Sequence, residues 1–413
     1  MTKHKILNDF GVSKPEVDKL HLSYISVKNE KRHPIHSLHK WYGKLIPAIP
    51  RWAIREFSKP GDTVLDPFCG SGTTLIEAIL NERKAVGIDI DPLACLISKV
   101  KTTPINTINT KESIHRVLQG AKEVEEVAHP DFPNLDYWFN PSVIKGLAKL
   151  LYLIKQETNK DIRDFLLVCF SSIIRKVSLA DPKFLITARS KHREKIGQKL
   201  TEEGVFKRFA DTCRVYLGYI RSLPSTIQHV EIHNADTRYF DYNNHYDLVV
   251  TNPPYVGAVD YVRAMRLERY WLELVAHDLS LQRVSMGYQR NSDIQYGPTN
   301  IEIIDAKLEK VKKKAKNAYR TLIAYFNDME LCFTRINQSL KDSSNIVIKI
   351  GDIKLGRTDI GLGEFLIALV EKMGWNLKFQ IKDPIGGRSL FTKRYELTNP
   401  DMIEFDWIIG FER

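Results

Sequence analysis

The chain has 413 residues, a formal net charge of +11 and a pI near 9.2. That length allows one large catalytic domain with a sizeable insertion, and the charge favours a polyanionic partner, because clustered Lys and Arg release counterions from phosphates. Five scattered cysteines form no Cys-x-x-Cys pair, no apolar run marks a signal peptide or a membrane span, and a reduced, cytoplasmic protein is expected.

Residues 1–35 are polar and weakly patterned, an N-terminal arm. From Lys44 onward Ile46, Ile49, Ala53 and Phe57 fall at helical spacing, with Pro47 and Pro50 suited only to the start of that helix. After a turn at Lys59 to Asp62, Thr63-Val64-Leu65 begins a buried strand. Leu75 to Leu80 reads as helix and Ala85 to Asp89 as the next strand. Strand, glycine loop, helix and strand make a βαβ unit, hence a parallel sheet with a right-handed crossover.

Residues 101–230 interrupt this rhythm as a helical insertion, notably from Asp161 to Leu179. They carry a basic stretch with Lys183, Arg189, Lys191, Arg193, Lys195 and Lys199. The α/β pattern resumes at Glu231 to Asp236 and in the strand at 247–250. Residues 311–340 read as one long amphipathic helix, followed by a strand at 345–350. The β-rich segments 376–381 and 403–411 can close the sheet as an antiparallel pair. The expected domain layout is a catalytic domain of 36–100 and 231–413, with 101–230 inserted.

Residues 64–74 read Val-Leu-Asp-Pro-Phe-Cys-Gly-Ser-Gly-Thr-Thr. Gly70 and Gly72 let the backbone turn tightly after the first strand and approach a ligand closely. Asp66 can accept from the cationic amino group of a methionine moiety, Asp89 from a ribose hydroxyl pair, and Asp236 from an adenine amino group. An isolated aspartate is more often a turn or helix cap, but three closing successive strands weaken that reading. The dinucleotide fingerprint and the Walker Lys are both missing, so phosphate cradling is not implied, and on the three aspartates the donor expected is S-adenosylmethionine.

Residues 247–255 read Asp-Leu-Val-Val-Thr-Asn-Pro-Pro-Tyr. An amino nitrogen conjugated to a ring is a poor nucleophile, and two acceptors aimed at its N–H bonds draw its lone pair out of conjugation. Asn252 supplies a side-chain carbonyl and Pro253 a backbone carbonyl. Pro253-Pro254 keeps the loop rigid, and Tyr255 offers a flat face to a base rotated out of its helix. Such a tetrapeptide alone is usually an ordinary turn; after an apolar strand and downstream of the glycine loop it reads as an acceptor site.

Together these residues resemble the DNA amino-methyltransferases, which methylate adenine N6 or cytosine N4. The likeness covers residues 36–100, 230–290 and the end of the chain. It implies a Rossmann-like α/β methyltransferase with a mostly parallel seven-stranded sheet, S-adenosylmethionine on Asp66, Phe68, Gly70 and Gly72, and Asp89 on the ribose. The segment from His36 to Lys44 is similar to the family's motif at the donor's methionine end, which implies Lys44. Asn252, Pro253, Pro254 and Tyr255 match its catalytic tetrapeptide. Asn at the first position is commoner in adenine enzymes, yet residues 260–272 are similar to cytosine-N4-type relatives, and cytosine N4 is slightly favoured. Double-stranded DNA is the expected partner, read by Tyr261, Arg263 and Arg266, with Arg269 a further candidate. A restriction endonuclease acting on the same site would fit a restriction-modification system.

Other readings are weaker. RNA guanine-N2 methyltransferases share the two loops but usually carry Gly after the Tyr, where Val256 stands here. Protein-glutamine methyltransferases would not call for this basic charge, and a catalytically inactive DNA-binding subunit would not keep both loops intact. His33, His36 and His39 lack a carboxylate or cysteine at ligand spacing, so they read as part of the donor-proximal segment rather than as a zinc site. Cys69 reads as a small packing residue.

Overall fold

The computed structural model describes residues 32–413 except 185, 244, 257–259, 276–280, 282–284, 287–295, 353, 356–357 and 385–404, so most of the expected arm lies outside the described residues. Seven strands form the main sheet: β1 (Thr63–Asp66), β2 (Lys84–Asp89), β3 (Val230–Asn234), β4 (Tyr246–Thr251), β5 (Leu340–Gly351), β6 (Asn376–Pro384) and β7 (Phe405–Glu412). Their order is β3-β2-β1-β4-β5-β7-β6. The first five run parallel, and β7 lies antiparallel between β5 and β6. This is the Rossmann-like, mostly parallel sheet that the sequence predicts, closed by the expected antiparallel pair.

Alternation along each strand explains why both faces are covered. Val64, Leu248, Val250, Val347 and Ile408 point to one side, where α1 (Ala48–Phe57) and α2 (Thr73–Leu80) cover them. Leu65, Val249, Ile346, Ile348, Trp407 and Ile409 point to the other, against α12 (Glu302–Lys314), α13 (Lys316–Gln338) and α14 (Leu362–Lys372). No helix among the described residues is long and apolar enough to cross a membrane.

Between β2 and β3 run α3 (Pro92–Lys101), α4 (Thr107–Glu123), α5 (Leu135–Trp138), α6 (Pro141–Lys155), α7 (Lys160–Val177), α8 (Lys191–Gly197) and α9 (Glu202–Ile220). Most of them start on a polar cap. Asp91, Asn106, Asn140, Asn159 and Thr201 each accept from a backbone N–H of the first turn, and Pro92 and Pro141 stand where the missing N–H costs nothing. After β4 come α10 (Tyr261–Ala264) and α11 (Arg266–Trp271). Trp271 is fully buried and meets Phe132, Phe139 and Phe170 edge-on, with ring centroids 6.0, 5.6 and 6.1 Å apart.

Two expectations need correction. The single helix expected over 311–340 is two helices, broken where Ala315 takes φ −148° and ψ 82°. Leu308 and Val311 of α12 face the same core as Leu322, Tyr325 and Met329 of α13, so the apolar spacing continues across the break and hides it. The sequence reading also passed over α14, although Leu362, Phe365, Leu366, Leu369 and Val370 recur at helical spacing and are buried.

Candidate active site

The strand order reverses between β1 and β4, and in open parallel sheets a crevice opens beyond the carboxyl ends of such a pair. A cavity of about 570 Å³ lies there. Of the residues singled out from the sequence, Lys44, Asp66, Phe68, Gly70, Asp89, Asp236, Asn252, Pro254, Tyr255 and Tyr261 line it. Gly72, Pro253, Arg263 and Arg266 stand outside its walls.

The loop after β1 turns through two left-handed glycines, Gly70 at φ +50° and Gly72 at φ +79°. A Cβ on Gly72 would come within 2.8 Å of Ser98 Oγ, so neither the backbone nor the space admits another residue there. Asp66 is buried and accepts from Thr251 Oγ1 at 2.7 Å and from the Phe68 N–H at 3.2 Å. Burial pushes its carboxyl up to about 6. Asp89 accepts the Gly70 and Asp91 N–H groups, each at 2.8 Å. Burial first, then the charge of Asp91, raise it to about 7. The Asp236 carboxylate is held by the guanidinium of Arg238, which also pairs with Asp328 at 2.8 Å.

In the loop after β4, Asn252 Nδ2 donates to the Gly43 carbonyl at 3.2 Å, and Asn252 Oδ1 accepts from the Tyr255 hydroxyl at 2.9 Å. Lys349 Nζ donates to that hydroxyl at 2.8 Å. Sequence reasoning missed Lys349, which sits inside an apolar strand where a lone lysine is an unusual residue to bury.

The helical layer grips both flanks of the cavity. Arg175 of α7 donates to the Tyr42 hydroxyl at 2.7 Å and to the Ala264 carbonyl at 3.1 Å, joining the 36–44 segment to α10. His39 Nδ1 donates to the Lys40 carbonyl and Nε2 accepts from Ser171 of α7. Burial lowers its pKa to about 3, so it stays neutral. His36 contacts Glu77 at 2.7 Å, and His33 reaches the Ser222 carbonyl. The three histidines therefore anchor the segment to three different places. Lys44 Nζ donates to the carbonyls of His36 and His39, and burial lowers it to about 8. Lys101, buried nearby on the Ser71 carbonyl and pushed well down by burial and by the charge of Lys44, was not foreseen.

Among the residues expected to meet DNA, Tyr261 is part of the cavity wall. Arg263 is exposed, 3.8 Å from Asp260, and Arg266 is half-buried. Arg269 is a correction: it is wholly buried and pairs with Asp91 at 2.6 Å, out of reach of any duplex. In the basic stretch Arg193 likewise turns inward, onto the Ser178 and Lys176 carbonyls, whereas Lys183, Lys191, Lys195 and Lys199 are exposed.

The sheet order, with the glycine loop at its switch point, is that of a Rossmann-like methyltransferase fold. Residues 19–100 match the DNA methylase family. The Type II methyltransferase M.MvaI of Kocuria varians is 25% identical over 76% of this chain and 74% of its own. M.AvaI of Nostoc sp. is 21% identical over 89% and 85%. M.MjaII of Methanocaldococcus jannaschii is 34% identical over a shorter stretch, 24% of this chain and 18% of its own. The chain is thus similar to the DNA methylases over residues 19–100 and to Type II methyltransferases over most of its length.

Proposed function

We propose that this protein methylates the exocyclic amino group of a base flipped out of duplex DNA, cytosine N4 ahead of adenine N6, with S-adenosylmethionine as donor. The observation that carries this reading is the shared cavity, with acidic strand ends on the β1 and β2 side and Asn252 with Tyr255 on the β4 side. The residues present fit that donor. Asp66 suits its ammonium, Asp89 its ribose and the outer edge of Asp236 its adenine amino group. The buried Ser71 hydroxyl, on the wall, lacks a hydrogen-bond partner among the described residues, which a polar ligand would supply.

The donor brings an electrophilic methyl on a sulfonium and leaves as S-adenosylhomocysteine. Asn252 Oδ1 and the Pro253 carbonyl accept the two amino N–H bonds, turning the nitrogen lone pair toward that methyl carbon. The N–C bond forms as the C–S bond breaks, and the surplus proton passes to water. Orientation and preorganised dipoles supply the rate without a general base. Arg263 and the exposed lysines of the 183–199 stretch are the proposed contacts to the phosphate backbone, and 101–230 the part that helps read the sequence. A cognate restriction endonuclease is the proposed functional partner.

The test is incubation of the protein with unmethylated duplex DNA and labelled S-adenosylmethionine, then nucleoside digestion and mass spectrometry. N4-methylcytosine is the expected product and N6-methyladenine would correct the base. Label only in N2-methylguanosine of a parallel RNA sample, or in neither nucleic acid, would overturn the reading.

A further inference from the structure

A carboxamide can sit either way round, and only one way makes Asn252 an acceptor for an amino group. Four contacts in sequence decide which. Asp406 holds Lys349 Nζ at 2.7 Å, both side chains being buried. Lys349 donates to the Tyr255 oxygen at 2.8 Å, that hydroxyl reaches Asn252 Oδ1 at 2.9 Å, and Asn252 Nδ2 reaches the Gly43 carbonyl at 3.2 Å.

An ammonium only donates and a peptide carbonyl only accepts, so the two ends fix the direction of everything between them. The Tyr255 oxygen receives from Lys349 and must send its own hydrogen to Asn252. Asn252 must meet it with its oxygen and turn its NH2 to Gly43. A carbonyl oxygen has two lone pairs, and one is left for the substrate. The backbone is shaped around this arrangement. A Cβ on Gly351 would lie 2.6 Å from Tyr255 Cε2 and 3.1 Å from Asp406 Oδ1, so β5 is bare where the ring passes.

We propose that Lys349, held by Asp406, is a positioning residue that sets the direction of hydrogen bonding through Tyr255 and so fixes Asn252 as an acceptor. This rests on the methyl-transfer reading above.

The test compares Lys349→Arg, Lys349→Gln, Tyr255→Phe and the Lys349→Gln/Tyr255→Phe double variant of the full chain, measuring kcat on duplex DNA, donor Kd and melting temperature. Arginine still only donates, whereas glutamine can donate or accept and leaves the direction open. Lys349→Gln is expected to lower kcat about tenfold, with Lys349→Arg staying near wild type and donor Kd unchanged in both. In the Tyr255→Phe background the glutamine should cost nothing further, because the phenol it acts through is gone. Equal kcat for the Arg and Gln variants overturns the proposal, as does a glutamine penalty that persists without the phenol. Should Lys349→Gln fail to fold, Tyr255→Phe alone decides: about a tenfold loss in kcat supports the relay and wild-type kcat overturns it. A wild-type protein that methylates no DNA would instead sink the functional reading itself.

Discussion

Thr251 Oγ1 donates a 2.7 Å hydrogen bond to the Asp66 carboxylate, so the last residue of β4 is tied to the last residue of β1. The bond joins the strand that leads into the proposed acceptor loop to the aspartate proposed to hold the donor. Thr251→Val keeps the shape and removes the donor. Asp66 then ionises less readily, and affinity for S-adenosylmethionine at neutral pH should fall by up to about tenfold. Titration calorimetry checks this, and unchanged affinity would separate the two loops energetically.

Asp66 and Asp89, raised to about 6 and about 7, predict opposite pH trends for stability and for binding. In the free protein both bind protons more tightly than in the unfolded chain. Their contribution to stability is therefore complete below the ordinary carboxylate range and lost as pH rises through their folded values. A cationic donor favours the ionised carboxylates, so its affinity should rise from about pH 5 to 7 with release of protons. Calorimetry in two buffers of different ionisation heat measures that release, and Asp66→Asn should reduce it. Net proton uptake would be the contrary result.

Asn252→Ala removes one of the two proposed acceptors for the amino group. Turnover should drop by at least about a hundredfold while donor affinity stays close to wild type. Near-normal methylation by this variant would mean that the 252–255 loop does something else.

The buried pair of Arg269 and Asp91 is a matter of stability. Arg269→Met leaves a carboxylate uncompensated against the start of α3, and about 3–5 kcal/mol of unfolding free energy should be lost. Denaturant titration reads this directly. A loss under about 1 kcal/mol would mean that Asp91 is satisfied by its capping contacts alone.

Arg263, exposed and only loosely paired, should behave the other way. Arg263→Ala is expected to leave melting unchanged, raise KM for DNA severalfold and lower the slope of log affinity against log salt by about one. An unaltered salt slope would remove it from the DNA interface.

The parts of this molecule that were legible in the sequence are those governed by local chemistry. Val64-Leu65-Asp66 before two glycines, and Asp247 to Val250 before Asn252, announce strands and the loops beyond them, because apolar runs and turn residues are short-range signals. What the sequence hid depends on the third dimension. Arg263 and Arg269 lie on neighbouring turns, yet one faces solvent and the other is swallowed by the core. Nothing in the order of residues says that Asp406 on β7 meets Lys349 on β5, since that contact comes from strand pairing across the closing antiparallel pair. The break at Ala315 was masked because both helices serve one core.

Trp271 carries a consequence for any exchange of the proposed DNA-reading helices between relatives. Its ring is walled by Phe132, Phe139 and Phe170, so the stretch that follows the acceptor loop and the helices that precede β3 are one solid piece made from two separate lengths of chain. A graft that replaced only the earlier length would set this indole against foreign neighbours and loosen the anchor behind Tyr261. The unit to exchange between relatives is the pair, with residues 260–275 travelling alongside the helices.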